Sequence, residues 1–166
     1  MAVNDLTAAR LRELLSYDPE TGVFIRSSNS RRAKKGDTAG WVNALGYRAV
    51  SIQSRTYLCH RLAWLYVTGQ WPCGVIDHIN GDPGDNRWRN LRDVAHRTNI
   101  ENQRVAARSN KSTGLLGATL HKASGLYQAQ LKTHGKRLGL GYFKTPEEAH
   151  AAYLEAKRRL HAGCTI

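Results

Sequence analysis

The stretch IDHINGDPGDNRWRNL, residues 76–91, constrains this chain more than any other. A short apolar run ends on Asp77 and His78, and Asn80 and Gly81 then form a strong turn signal. Neighbours on a regular strand point to opposite faces, so the pair can serve one site only if the strand stops there. The loop is rich in acidic and acceptor groups. The chain around it is not: 25 Lys and Arg face 13 Asp and Glu, for a formal net charge of +12. That balance points to a polyanion partner. An acidic cluster amid it would repel the partner unless a cation lies between the two.

Phosphodiester hydrolysis has those needs. A water must lose a proton, and His is the natural base near neutral pH. The charge on phosphate and on the leaving oxygen must be neutralised, which a hard divalent cation does as a Lewis acid. Mg²⁺ takes oxygen ligands and often keeps only one or two from protein. Asp77 supplies a carboxylate, and Asn99, on the helix that follows, an amide oxygen. His78 is then the candidate base. A structural zinc is not expected, because Cys59, Cys73 and Cys164 are odd in number and widely spaced.

Patterning divides the 166 residues into three parts. In the first, Leu11, Leu14 and Leu15 fall at helical spacing within residues 6–15, with Thr7 as the cap. DPETGVFIR predicts a turn into a short strand. RSSNSRRAKKGD reads as an irregular loop, its Arg31, Arg32, Lys34 and Lys35 lying along a phosphate backbone or in solvent. GYRAVSI and RTYLCHRL alternate as a hairpin turned near Gln53 and Ser54. The second part holds a helix, HRLAWLYVTG, ended by Gly69. Strand VIDH, the long loop, strand NLRDV and helix AHRTNIENQR follow. Residues 104–114 are small, basic and polar, as a linker would be.

In the third part, strands are predicted over about 117–121, 126–133 and 136–143, with turns at ASG and HG. TPEEAHAAYLEAKRRL is the clearest helix. Thr145 caps it, Pro146 opens it and Glu148 closes a capping box. Ala149, Ala152, Tyr153, Ala156 and Leu160 form its apolar face, and Lys157, Arg158 and Arg159 fill the last turn. Residues 104–166 hold 11 Lys or Arg against 3 Glu, so the positive charge is concentrated here.

Residues 60–104, HRLAWLYVTGQWPCGVIDHINGDPGDNRWRNLRDVAHRTNIENQR, resemble the HNH homing endonucleases of the phage-encoded branch. In that family an Asp-His or Asn-His pair ends the first strand. A middle Asn lies 12 residues after the His and a third polar residue 21 after it, which here are Asn90 and Asn99. The resemblance implies His78 as general base and Asp77 and Asn99 as ligands of one Mg²⁺ or Mn²⁺. It also implies that Asn90 pins the loop and orients the His. His60 matches the family's HRL opening, as packing beside the site or as a phosphate or leaving-group contact. Arg87, Arg89 and Arg92 flank the site, to bind phosphate or as solvated loop charges. Trp88 packs the loop or stacks on a base. The four-Cys zinc scaffold of many HNH proteins is absent from the sequence.

Residues 113–156 resemble the AP2 DNA-binding domain through Y-x-A-x-L, LG-x-F and T-x-E-E-A-x-x-A-Y. Alternation on the middle strand puts Tyr127, Ala129 and Leu131 toward the helix and Gln128, Gln130 and Lys132 outward. The resemblance implies that the outer face enters the major groove, with Thr119, His121, Lys122 and Arg137 on that surface. Gln can read adenine, and Lys or Arg guanine or phosphate.

The expectation is thus an α+β chain. Residues 1–55 support a ββα-metal nuclease unit over 56–104. A linker over 105–113 leads to an AP2-like domain over 114–166, three antiparallel strands on one helix. The function expected is metal-dependent cleavage of double-stranded DNA, by nicking, as a monomer or weak dimer. No small-molecule substrate is implied. The alternative is an AP2-like regulator with a decayed nuclease unit. The N-terminus lacks a signal-peptide core and no apolar run could span a membrane, so the expected place is the cytoplasm of a phage-infected or lysogenic bacterial cell.

Overall fold

A computed structural model describes residues 6–29 and 33–166. The fold is mixed α+β, and among the described residues every strand pairing is antiparallel. The chain divides into two compact units, Met1–His96 and Arg97–Ile166.

In the first unit, helix α1 (Ala8–Leu14) starts at Thr7, whose side chain accepts from the Arg10 N–H. It stops one residue short of the apolar run. Leu15 instead opens strand β1 (Leu15–Asp18), which pairs with β2 (Val23–Arg26). Leu11 and Leu15 are both fully buried, so one core accepts the run as helix and then as strand. Strands β3 (Trp41–Val42), β4 (Arg48–Ile52) and β5 (Arg55–Leu58) form a sheet in that order. Gln53 and Ser54 make the β4–β5 turn, both with positive φ. Strand β5 ends at Leu58, and helix α2 (Cys59–Thr68) begins at once, closing on Gly69. Leu62, Ala63 and Leu65 of α2 join Leu6, Leu11, Phe24, Val50 and Ile76 in the core.

Arg31 and Arg32 lie outside the described residues. Beside them, the Lys34 N–H donates to Asp37, the Lys35 N–H donates to Asn29, and the Gly36 N–H donates to the Arg26 carbonyl.

Strands β6 (Val75–His78) and β7 (Leu91–Val94) form the two-stranded ladder that carries the Asp-His pair. Helix α3 (His96–Glu101) follows, shorter than the sequence suggested, and is described with the second unit.

That unit contains β8 (Ala118–His121), β9 (Leu126–Thr133) and β10 (Lys136–Phe143), with β9 in the middle, and helix α4 (Pro146–Leu160). The capping box forms as expected, Thr145 accepting from the Glu148 N–H and Glu148 from the Thr145 N–H. Ala118, Ala129 and Ala149 are fully buried, so sheet and helix approach closely. The last turn of α4 departs from the expected face. Leu160 is 37% exposed while Lys157 is 1% exposed. Lys157 runs past the Tyr153 ring, and its ammonium donates to the Gln103 carbonyl, which supplies the partner a buried charge requires.

Candidate active site

Strand β6 stops at His78, and the Gly81 N–H turns back onto the His78 carbonyl at 2.8 Å. Gly81 has φ +76, the left-handed value this turn requires. Asp77 and His78 are both buried, 4% and 6% exposed. Asp77 lies opposite Arg92 in the ladder. The Arg92 Nε donates to Asp77 Oδ2 at 2.8 Å, and a terminal nitrogen lies 2.7 Å from the same oxygen. The guanidinium gives the buried carboxylate a hydrogen-bonded partner in place of water.

Around His78 is a small aromatic group. The His60 ring meets it edge-on at 5.0 Å, and Tyr47 lies 5.4 Å from His60 and 6.0 Å from His78. Burial pushes the pKa of His78 down, opposed by a hydrogen bond to Asn86 and by the charges of Asp77, Asp82 and Asp85. His60 is pushed down to about 3, by burial first and then by His78 and Arg61. Both rings are therefore neutral near pH 7. His60 Nδ1 is buried with no hydrogen-bond partner among the described residues.

The loop between the strands is closed by side chains. Asn90 donates to Asn80 Oδ1 and to the Asp85 carbonyl, and accepts from the Asn80 N–H. Asn80 also donates to Asp85 Oδ2 at 2.7 Å. These bonds suit the loop-pinning role the resemblance gave Asn90. The side chain on His78 Nε2 is a different one: Asn86 Oδ1, at 3.2 Å. Nothing in the sequence singled out Asn86, because the contact depends on the path of the loop. Trp88 packs on Trp64 of α2 at 5.1 Å between ring centroids.

The flanking arginines divide. Arg87 holds both oxygens of Asp85, which pushes that carboxyl down to about 2. Arg92 is on Asp77. Arg89 is the open one, with a 4.0 Å contact to Glu20 and 69% of its side chain exposed. Asn99 lies half-buried on α3. Among the described residues no three His, Cys, Asp or Glu are grouped to hold a metal ion.

In the second unit, ladder register puts Thr119, Gln128 and Tyr142 in one row, Gln130 beside Gly139, and Lys132 beside Arg137. Ala129 and Leu131 face α4, as alternation predicts. A bulge between Gly139 and Gly141 shifts the alternation of β10. It turns Phe143 inward and Tyr142 outward, where strict alternation would do the reverse. Gln130 Nε2 donates to Gln128 Oε1, and Gln128 Nε2 donates to the Tyr142 hydroxyl at 3.1 Å. The His121 ring meets Tyr142 at 5.2 Å. Lys122 lies in the exposed turn after β8.

Residues 57–101 match a family model described as HNH endonuclease. The chain is also similar to a solved structure described as "DNA binding and cleavage by the HNH homing endonuclease I-HmuI", at 25% identity and a TM-score of 0.41. The similarity covers 54% of this chain and 51% of that one, so the chain matches about half the length of that relative. No curated protein matches. The HNH resemblance read from residues 60–104 is borne out by the family match over residues 57–101. Among the described residues, no helix is long and apolar enough to cross a membrane.

Proposed function

We propose that this chain is a DNA endonuclease of the HNH homing type. It hydrolyses phosphodiester bonds in duplex DNA, one strand at a time, with His78 as general base and one divalent cation. The observation that carries the reading is the buried Asp77 and His78 pair at the end of β6, with the loop behind it tied by Asn90, inside the matched segment. Buried titratable groups with specific charged partners are where functional chemistry concentrates.

A hard cation is part of this reading. Asp77 would offer it a carboxylate and the family resemblance adds the Asn99 amide oxygen, with waters and phosphate to complete the shell, as would suit Mg²⁺ or Mn²⁺. Bound there, the ion supplies Lewis-acid charge at the scissile phosphate. Arg92 holds Asp77 in place through its contacts to Oδ2. His78, neutral because it is buried, takes a proton from water as the water oxygen bonds to phosphorus and the P–O3′ bond breaks. The products carry a 5′ phosphate and a 3′ hydroxyl. One base per chain gives one cut per binding event.

Residues 114–166 are the DNA-binding domain in this reading. The face formed by Thr119, His121, Gln128, Gln130, Lys132, Arg137 and Tyr142 meets the major groove, and Lys122 and Arg89 contact phosphate.

The test is nicking of supercoiled plasmid with Mg²⁺, Mn²⁺ or EDTA, comparing wild type with His78→Ala. Metal-dependent nicking lost in the variant, with duplex binding retained, is the expected result. Tight binding without cleavage by wild type would instead favour a regulator.

A further inference from the structure

We propose that Asn86 fixes the imidazole tautomer of His78, and that Tyr17 of the N-terminal hairpin holds Asn86 in place to do so. The inference rests on reading His78 as the base, and it assigns the base to one atom, Nδ1.

Asn86 is 1% exposed, deeper than any other asparagine described. A buried amide is costly unless bonded, so its partners carry information. Its Nδ2 donates to the Gly84 carbonyl at 3.3 Å. A carbonyl only accepts, so that contact identifies the NH₂ end, and the oxygen end faces the ring. Oδ1 lies 3.2 Å from His78 Nε2. An amide oxygen also only accepts. The proton of the neutral ring is therefore on Nε2 and the lone pair on Nδ1.

The amide is aimed by its own backbone. The Asn86 carbonyl accepts from the Tyr17 hydroxyl at 2.7 Å, and Tyr17 is 5% exposed on β1, its ring packed on Phe24 at 4.8 Å. The same hairpin touches the loop twice more. The Trp88 N–H donates to the Pro19 carbonyl at 2.9 Å. A Cβ on Gly22 would fall 2.4 Å from the Asn86 carbonyl carbon. Three contacts thus bear on residues 86–88 from β1 and the turn that follows it. Asn90, by contrast, uses its amide on Asn80 and Asp85. The two asparagines divide the work: Asn90 sets the path of the loop, and Asn86, carried by the loop, sets the ring. His60 and Tyr47 pack against that ring by ring faces and edges. Asn86 is accordingly a positioning residue. It touches the base.

The experiment reads the tautomer directly. Two-bond ¹H–¹⁵N correlation spectra of histidine-labelled full chain, at about pH 8 where the ring is neutral, distinguish Nε2–H from Nδ1–H. His78→Asn identifies the resonance. Wild type is expected as the Nε2–H form. Asn86→Asp keeps an acceptor oxygen and should keep that tautomer. Asn86→Leu has similar shape and no acceptor. It should give a mixture and lower kcat roughly 10- to 100-fold with KM for DNA unchanged. Tyr17→Phe should shift both in the same direction by less. An Nδ1–H ring in wild type, or an Nε2–H ring that survives in Asn86→Leu, overturns the inference. Should Asn86→Leu fail to fold, the wild-type and Asn86→Asp tautomers still decide it. A wild type with the Nε2–H ring that cuts no DNA overturns the nuclease reading instead, so the two failures are distinguishable.

Discussion

Arg92 reaches across from β7 and places two guanidinium nitrogens on one oxygen of Asp77, at 2.8 and 2.7 Å. Asp77 is the proposed cation ligand, so the group that competes for its charge also holds it in position. The pair is nearly buried on the Asp side, with Arg92 at 26% side-chain exposure. Removing one partner of such a pair costs more than the pair itself contributes. Arg92→Ala should destabilise the chain by about 3 kcal/mol. Combining it with Asp77→Asn should recover part of that loss, because the neutral amide needs no counter-charge. Urea melts of the two single variants and the double variant measure the coupling. Additive losses would mean that Arg92 supports the ladder by packing alone.

His60 predicts how stability depends on pH. Burial, with His78 and Arg61 nearby, lowers its pKa from the usual 6.5 to about 3. Tyr47 and His78 are the rings facing it. The unfolded chain therefore binds a proton below pH 6.5 that the folded chain refuses. Its effect is absent above 6.5, and stability is lost as pH falls from there toward 3. The slope from this residue is at most about 1.4 kcal/mol per pH unit. His60→Leu should flatten the dependence over that window. Chemical denaturation at a series of pH values checks it, and an unchanged slope would exclude His60 as the source.

The regions the sequence disclosed are those where local rules and tertiary packing agree. The capping box at Thr145, the stop at Gly69 and the turn after His78 are all signals that a few adjacent residues carry. The departures have a different origin. Leu15 continues a helical pattern yet becomes strand, because pairing with Arg26 and burial in the shared core outweigh propensity. Strand β3 is two residues long, too short for alternation to register. Tyr142 changes face because of one bulge. Lys157 is buried where the helix dipole suggested an exposed cation, since a carbonyl 54 residues away in sequence receives it. Asn86 reaches His78 from eight residues on through a loop whose course no local rule dictates. At the site, the sequence pointed to Asp77, His78 and Asn90 and named Arg92 only as a flanking charge, while Asn86 went unnoticed.

On the C-terminal sheet, charge and readout should separate. Lys132 and Arg137 are exposed neighbours in the ladder. If each neutralises one phosphate, Lys132→Ala and Arg137→Ala will each weaken binding to every duplex alike. Each will also reduce the slope of log K against log salt by about 1. Tyr142→Phe should leave that slope alone. It deprives Gln128 Nε2 of its acceptor and frees the amide that Gln130 leans on. Preference among sequences should relax by roughly 1 kcal/mol. Salt titrations on a preferred and a random duplex test both. A changed slope in Tyr142→Phe would move the tyrosine from base readout to phosphate positioning.

Gly22 and Gly36 provide a matched pair. Both have left-handed φ, +73 and +92, so alanine at either incurs a backbone cost of about 1 kcal/mol. A Cβ on Gly36 would meet nothing within 4 Å. On Gly22 it would lie 2.4 Å from the Asn86 carbonyl carbon and 2.5 Å from the Arg87 nitrogen, backbone atoms with no rotamer to escape into. Gly22→Ala must therefore push the hairpin away from the loop. It should lose at least about 1 kcal/mol more than Gly36→Ala. Nicking should fall further than stability does, because the displaced segment carries the amide on His78. Thermal melts and single-turnover nicking of the two variants make the comparison. Equal losses in both would show that the hairpin does not set the position of residues 86–87.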